Sequence, residues 1–253
     1  MPIILAIETS SELASCALLN SADGAATPGL TPGLTPGLTR VLTRESSGVR
    51  THSQSVLPMV QELLRDAGIA LADCDAIAFG AGPGSFTGVR TACGVAQGLA
   101  FGARKPVLPL VTLEAMAEAC RARTGAADVL AVLDARMGEV YWAQYRWTGA
   151  WQAVREPALS APGAVAPEMV DGLAACGNGF AAYPEAFADA PFAAGAHGDI
   201  LPHAREFAVL GVAALAAGRA VPADEAQPLY LRNKVAYTSA ERQAINAAKA
   251  DAR

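Results

Sequence analysis

Two short stretches place a carboxylate directly after an apolar run, and both could contribute to phosphate chemistry. The first is Ile7-Glu8-Thr9-Ser10 and the second is Leu133-Asp134-Ala135-Arg136. The turn of a strand–turn–strand unit can present backbone N–H groups and hydroxyls to an anion. Although a carboxylate at a strand end is common, the pair suggests a nucleotide-facing cleft between two lobes. The residues predicted to face it are Glu8, Thr9, Ser10, Gly82, Gly84, Asp134 and Arg136.

A glycine-rich stretch, Gly82-Pro83-Gly84-Ser85, invites comparison with a phosphate-binding loop. It lacks the Gly-Lys-Ser/Thr ending that a P-loop uses to hold phosphate and magnesium. The P-loop interpretation therefore fails. We predict a tight turn from a strand into a helix, which could also hold that helix at an interface.

Residues that could bind a metal are few and poorly spaced. The histidines are His52, His197 and His203, and only the loose pair at 197 and 203 is close in sequence. Five cysteines are spread without a Cys-x-x-Cys pair, which indicates buried thiols in a reducing compartment. No His-Glu-x-x-His motif supports a metallopeptidase. We predict no metal site, and we interpret His52 as a helix-capping or interface residue.

Composition and charge exclude several classes of protein. The chain has 253 residues, of which 52% are hydrophobic and 17% charged, so it is expected to fold around a real core. Its net charge is −5, and no basic run exceeds Arg104-Lys105, which disfavours tight RNA binding by the chain alone. The N-terminus lacks the basic flank of a signal peptide, and no long apolar segment predicts a membrane span. We expect a cytoplasmic protein.

Apolar runs bounded by turn residues predict the elements that position these groups. Strands are predicted at 3–7, 13–19, 40–45, 76–80, 107–111, 129–134, 139–147 and 174–177. Helices are predicted at 51–67, 87–102, 113–123 and 203–217. The second strand is expected to return antiparallel to the first.

The helix at 51–67 is predicted to be amphipathic. Its apolar stripe is expected to contain Val56, Val60, Leu63 and Ala67, widened by Leu57 and Leu64. Pro58 is expected to be tolerated only in the first turn, because proline lacks the N–H of the helix interior. Gly68 is predicted to end the helix.

The helix at 87–102 is built from small residues. Two sets recur at every fourth position: Gly94, Gly98 and Gly102, and Ala92, Ala96 and Ala100. A helix this thin lets another backbone approach closely. It could pack tightly on its own sheet or against a partner helix, and both could hold on different faces.

A perfect tandem repeat of Thr-Pro-Gly-Leu occupies residues 27–38. We interpret it as an expansion in a surface hairpin loop, which should be dispensable because the entropy of loop closure grows slowly with length. A functional loop is the alternative. We predict an N-terminal lobe at 1–106, a C-terminal lobe at 107–232 and a frayed tail at 233–253.

Five stretches, in order, resemble the family that contains TsaB and TsaD, and its TsaB branch in particular. They are 4–11, 52–54 with Leu57-Pro58, 75–90, 134–141 and 228–232. The run Ala-Gly-Pro-Gly-Ser-Phe-Thr-Gly-Val-Arg at 81–90 is the specific signal. The resemblance extends from residue 3 to about residue 232 and leaves out only the repeat and the tail.

The resemblance implies an α/β, two-lobed actin/hexokinase/Hsp70-like (ASKHA) fold, in which each lobe is a mixed β-sheet with flanking helices. It also implies a role. TsaD-like enzymes transfer a threonylcarbamoyl group to the adenosine 3′ of the anticodon in tRNAs reading ANN codons. TsaB-like proteins are their paralogues and partners, and TsaE-like ATPases join them.

The same resemblance implies that this chain is not an enzyme. TsaD-like enzymes carry a His-x-x-x-His metal pair where this chain has Thr112 and Met116, and neither side chain can replace an imidazole as a ligand. We therefore expect a scaffold with no cofactor of its own, although a nucleotide could lie at a partner interface. It would reach tRNA only through the complex.

Without its partners, the scaffold is expected to form a homodimer through the same surface. The predicted partner or dimer surface contains His52, Val56, Met59, Gly88, Ala92, Ala96 and Gly98. The alternatives are a catalytic ASKHA-type nucleotide-dependent transferase or kinase and, with less support, a glycoprotease-like metallopeptidase or a chaperone.

Overall fold

The computed structural model describes residues 2–20, 40–47 and 52–232. The repeat at 27–38 and the tail predicted at 233–253 lie outside the described residues. Within the described ranges, no helix combines the length and the apolar character needed to cross a membrane.

The first sheet has five strands in the order β3-β2-β1-β4-β5. They are β1 (Ile3–Glu8), β2 (Leu13–Asn20), β3 (Arg40–Ser47), β4 (Ala76–Gly82) and β5 (Val107–Val111). The sheet is mixed, because β1 pairs antiparallel with β2 and parallel with β4. Leu5 and Ile7 contribute to the core on one face, and Ile4 and Ala6 to the core on the other. Burial on both faces explains the continuous apolar run of β1.

The second sheet has four strands in the order β8-β7-β6-β9, and it is also mixed. They are β6 (Asp128–Arg136), β7 (Glu139–Trp147), β8 (Trp151–Ser160) and β9 (Ala174–Cys176). The eight predicted strands are confirmed, but β8 was not predicted. It lies at the edge of the sheet and is only half-buried, which is where a proline such as Pro157 is tolerated and where the apolar pattern is weak.

Helices cover the faces of both sheets. They are α1 (His52–Ala67), α2 (Phe86–Ala103), α3 (Thr112–Thr124), α4 (Gly179–Ala182) and α5 (Ala204–Ala216). One face of the first sheet packs on α1 and α2, and the other packs on α5. In the second sheet, α3 covers one face, while α4 and short 3₁₀ turns cover the other. The four predicted helices are confirmed.

Two details of α1 differ from the prediction. Pro58 lies inside the helix, beyond the first turn. It is tolerated there because Pro58 and Gln54 are both exposed, so the Gln54 carbonyl, which loses its N–H partner, lies on the solvent side. Leu57 does not widen the buried stripe but is 45% exposed. The helix ends at Gly68, which adopts the left-handed conformation, as predicted.

The structure also divides the chain differently from the boundary predicted between residues 106 and 107. β5 is an edge strand of the first sheet, and α5, far later in the chain, packs on the same sheet. The predicted boundary assigns both elements to the C-terminal lobe at 107–232. They join the first lobe because its otherwise exposed apolar face, which includes Ile4 and Ala6, has to be covered.

The interlobe cleft as a candidate functional site

A cleft of about 400 Å³ lies between the two lobes. Its walls come from the turn after β1, the start of α2, the turn between β6 and β7, and the segment at 229–232. Of the residues predicted to face it, Ser10, Gly84, Asp134 and Arg136 line it. Glu8, Thr9 and Gly82 are buried and are absent from its lining.

Glu8 ends β1 and is completely buried. Its Oε1 accepts a hydrogen bond from the backbone N–H of Ser10, while its Oε2 has no partner among the described residues. Burial raises the pKa of the Glu8 carboxyl to about 7, and the hydrogen bonds from Ser10 only partly oppose this effect. The carboxyl group fits because Gly80 faces it, and a Cβ at Gly80 would overlap Oε2.

Asp134 occupies the corresponding position in the second lobe. Its Oδ1 accepts hydrogen bonds from the backbone N–H of Arg136 (2.8 Å) and the hydroxyl of Tyr183 (2.9 Å). Its own N–H donates to Oδ1 of Asn178 (2.9 Å). Arg136 and Met137 both adopt the left-handed conformation, which closes the tight turn into β7.

The two turns therefore use their backbone N–H groups in the same way. In each, a carboxylate at or near the end of the strand accepts a hydrogen bond from the N–H of the residue two positions later. The sequence suggested that such N–H groups could bind a phosphate, but those of Ser10 and Arg136 donate to the chain's own carboxylates. Entry of a nucleotide elsewhere in the cleft stays a prediction.

Ion pairs also join the walls of the cleft. Arg136 contacts Oε1 of Glu12 from the first lobe (2.6 Å) as well as Asp134 (3.2 Å). Arg232 contacts Glu139 (2.6 Å). Two of the cations around the cleft are thus paired with carboxylates of the chain itself.

The glycine-rich stretch forms the predicted tight turn from β4 into α2. Ser85 caps the helix, because its hydroxyl accepts the N–H of Gly88 (3.3 Å), and its own N–H donates to the carbonyl of Ser10 (2.7 Å). A Cβ at Gly88 would overlap the carbonyl oxygen of Thr9. Glycine is therefore needed at Gly88 for close approach of the helix to the first turn.

The segment at 229–232 forms a wall of the cleft that was not predicted from the sequence. Leu229 donates its N–H to the carbonyl of Ala81 (2.7 Å). The hydroxyl of Tyr230 accepts a hydrogen bond from Arg90 (2.7 Å), whose guanidinium also stacks over Phe86. The Pro-Leu-Tyr-Leu-Arg run was noticed only as part of the resemblance, and nothing in its pattern indicates where it packs.

The residues predicted to form a partner surface do not lie on one exposed face. Six of them are buried within the lobe: His52, Val56, Met59, Gly88, Ala92 and Ala96. The alanine set of α2 packs on the first sheet, so these residues cannot form an exposed surface. Only Gly98 lies on the open face, together with Gly94 and Gly102, where a Cβ would meet nothing within 4 Å.

Thr112 and Met116, which stand where the resemblance places metal ligands, are both fully buried in the first turns of α3. The Thr112 hydroxyl lies 3.5 Å from that of Ser10. Met116 belongs to the core beneath the second sheet. Thr112 therefore contacts the first turn of the cleft, and Met116 serves packing in the core.

Comparison with known proteins identifies a matching family model and two similar proteins. A family model described as TsaD, tRNA N6-adenosine threonylcarbamoyltransferase, matches residues 25–251. The tRNA threonylcarbamoyladenosine biosynthesis protein TsaB of Escherichia coli is 38% identical over 239 residues, covering 92% of this chain and 96% of that protein. The TsaB of Haemophilus influenzae is 35% identical, covering 92% and 95%.

Solved structures agree with these matches. The solved structure of YeaZ from Pseudomonas aeruginosa is 39% identical, with a TM-score of 0.78, and the match covers 91% of this chain and all of that one. A second Pseudomonas aeruginosa structure, of an uncharacterized protein with similarity to peptidase YeaZ, has a TM-score of 0.79 at 38% identity over 92% of this chain. The two mixed sheets thus form the predicted two-lobed fold.

Proposed function

Since this chain belongs to the TsaB (YeaZ-type) family and so has a role in tRNA threonylcarbamoyladenosine biosynthesis, we propose that it is a non-catalytic scaffold subunit. It acts through a TsaD-like catalytic partner and a TsaE-like ATPase. The modified residue is the adenosine 3′ of the anticodon in tRNAs reading ANN codons. The modification takes place in the cytoplasm, and this chain reaches tRNA only through the assembled complex.

The observation that carries the non-catalytic role is the chemistry of α3. Two residues one helical turn apart share a face, and paired imidazoles at such positions can hold a metal ion. Here Thr112 contacts the first turn of the cleft and Met116 packs in the core. A buried threonine and a buried methionine supply no basic nitrogen for a metal, which supports a scaffold rather than a transferase.

We expect the purified chain to show no threonylcarbamoyl transfer and no nucleotide turnover above background. With ATP and an activated threonylcarbamoyl donor supplied, adding the TsaD-like and TsaE-like proteins of the same cell should produce modified tRNA, measured by mass spectrometry of the digested nucleosides. Omitting this chain from the mixture is the control. Turnover that tracks the elution peak of the chain alone, or full modification in its absence, would contradict the scaffold role.

The face of α2 that carries Gly94, Gly98 and Gly102 is open, which supports a partner surface on this helix. Phe101 is 81% exposed, and the open glycines Gly94 and Gly98 lie on the same helix. Leu57, on the neighbouring helix α1, is 45% exposed. An exposed aromatic residue beside a flat stripe of glycines suits close packing of a second helix. We assign this face to the TsaD-like partner, or to a second copy of the chain in its absence.

Substituting Gly98→Arg should weaken association at least about tenfold, because it places a charge and a long side chain in a desolvated contact. Binding to the TsaD-like partner can be measured by calorimetry, and self-association by sedimentation. Gly163→Arg is the matched control, since Gly163 also has open space around it but lies away from α2. A folded Gly98→Arg protein with unchanged association would place the interface elsewhere.

A further inference from the structure

The last described segment, residues 221–232, runs from the first lobe to the second, and we call it the strap. At its start, Val221 pairs with Val107 of β5 through two backbone hydrogen bonds of 2.9 Å. Its middle lies on α2, where the carbonyl of Ala226 accepts a hydrogen bond from the side chain of Gln97 (2.9 Å). These contacts attach the first part of the strap to the first lobe.

The strap ends on the second lobe. Leu231 packs against the core of that lobe. The guanidinium of Arg232 contacts Oε2 of Glu139 at the start of β7 (2.6 Å) and donates to the carbonyl of Arg136 (3.3 Å). The strap therefore joins the two lobes and opposes their separation at the cleft. The ion pair between Arg136 and Glu12 of the first lobe also spans the cleft, but it is exposed on both sides and contributes little.

The contact between Arg232 and Glu139 can be broken at a low cost in free energy. The side chain of Glu139 is 38% exposed, so water and salt weaken its attraction to Arg232. The Nε–H of Arg232 is buried and has no hydrogen-bond acceptor among the described residues. A buried donor without an acceptor raises the free energy of the arrangement that buries it. Release of Arg232 returns this N–H to water and thereby offsets part of the lost ion pair.

Open space also borders the end of the strap. Leu229 and Leu231 line both the cleft and a second cavity of about 320 Å³. Tyr230, which lies between them, is 46% exposed. A segment with cavities beside it has few packing neighbours, and such segments open locally more easily than the core does. The strap is therefore held to the second lobe mainly by Leu231 and Arg232.

From these contacts, we propose that the strap is a latch between the lobes and that it releases at its Arg232 end. While Arg232 contacts Glu139, the cleft keeps the width seen in this structure. Release of Arg232 frees Leu231 from the second lobe and lets the lobes separate, whereas the pairing at Val221 keeps the strap on the first lobe. The latch also controls access to the cleft, because the segment at 229–232 forms one of its walls.

Double electron–electron resonance between nitroxide labels on the two lobes tests the latch. The labels are attached through Gln61→Cys on α1 and Asp189→Cys in the second lobe, which are exposed positions, whereas the five native cysteines are buried. Excess unlabelled chain is added so that distances within one molecule dominate. We expect one narrow distance distribution for the labelled parent chain. Arg232→Gln should broaden it and lengthen its mean by more than about 2 Å, because the lobes then separate.

Glu139→Gln breaks the same ion pair from the other side, so it should lengthen the distance as Arg232→Gln does, and the double variant should add nothing further. Arg155→Gln, which removes an exposed arginine elsewhere in the second lobe, should leave the distribution unchanged. Circular dichroism establishes that each variant is folded. The proposal is overturned if the folded latch variants keep the parent distribution, if Arg155→Gln lengthens the distance equally, or if the parent distribution is already broad. Since this test needs no tRNA and no partner, its outcome is independent of the scaffold role.

Discussion

Replacing Gly88 by alanine should destabilise the protein by roughly 3 kcal/mol, a large effect for one added methyl group. The new Cβ would overlap the carbonyl oxygen of Thr9, a backbone atom that cannot rotate away. Thr9 is also held to α2 by its hydroxyl, which donates to the carbonyl of Gly88 (2.7 Å). The start of α2 would have to move away from the first turn of the cleft. Urea denaturation would measure the loss.

The same substitution elsewhere in α2 should have the opposite sign. A Cβ at Gly94 would meet nothing within 4 Å. Alanine is preferred over glycine inside a helix, so Gly94→Ala should stabilise the protein by about 1 kcal/mol. The two variants and the parent chain are compared at one protein concentration, because self-association alters apparent stability. If Gly88→Ala and Gly94→Ala changed the free energy of unfolding equally, the close contact between Gly88 and Thr9 would not be the reason that position 88 needs glycine.

Much of the fold could be predicted because its signals are local. β1 and β4 are continuous apolar runs, as expected of central strands buried on both faces, and Gly68 marks the end of α1. The division into lobes could not be predicted in this way. It depends on α5, which is distant in sequence but packs on the first sheet. A sequence pattern does not show which apolar face a distant helix will cover.

The candidate site was predicted in position but not in detail. The sequence placed Ser10, Gly84, Asp134 and Arg136 around one cleft, because carboxylates after buried strands stand out as a pattern. It gave no sign that Glu8 and Asp134 accept the nearby N–H groups, since a glutamate at a strand end looks the same whether it faces solvent or its own turn. In α2, glycines and alanines both recur at every fourth position, so the sequence does not show which of the two faces is buried. The structure shows that the alanines pack in the core and that the glycines lie on the open face.

Glu8 should make the stability of the protein depend on pH. Its pKa is about 7 in the folded chain, against the ordinary value of 4.5 expected when the chain is unfolded. Below pH 4.5, both states are protonated and the neutral group is accommodated at no ionisation cost. As pH rises from 4.5 to 7, the unfolded state releases its proton while the folded state keeps it, so stability falls. Above pH 7, both states are ionised and this loss is complete.

Glu8→Gln removes this dependence, because the amide stays neutral and can still accept the N–H of Ser10. The difference in unfolding free energy between the variant and the parent chain should shift by roughly 2 kcal/mol in favour of glutamine from pH 5 to pH 8. Any fixed cost of placing the amide beside Gly80 cancels in that comparison. Burial also raises the pKa of Glu206 to about 7, so Glu206→Gln should show the same trend at an independent position. Exposed Glu185→Gln should show none. A constant difference across this range for Glu8→Gln would mean that Glu8 is already ionised within the folded protein at pH 5, and that its Oε2 has a donor in solution.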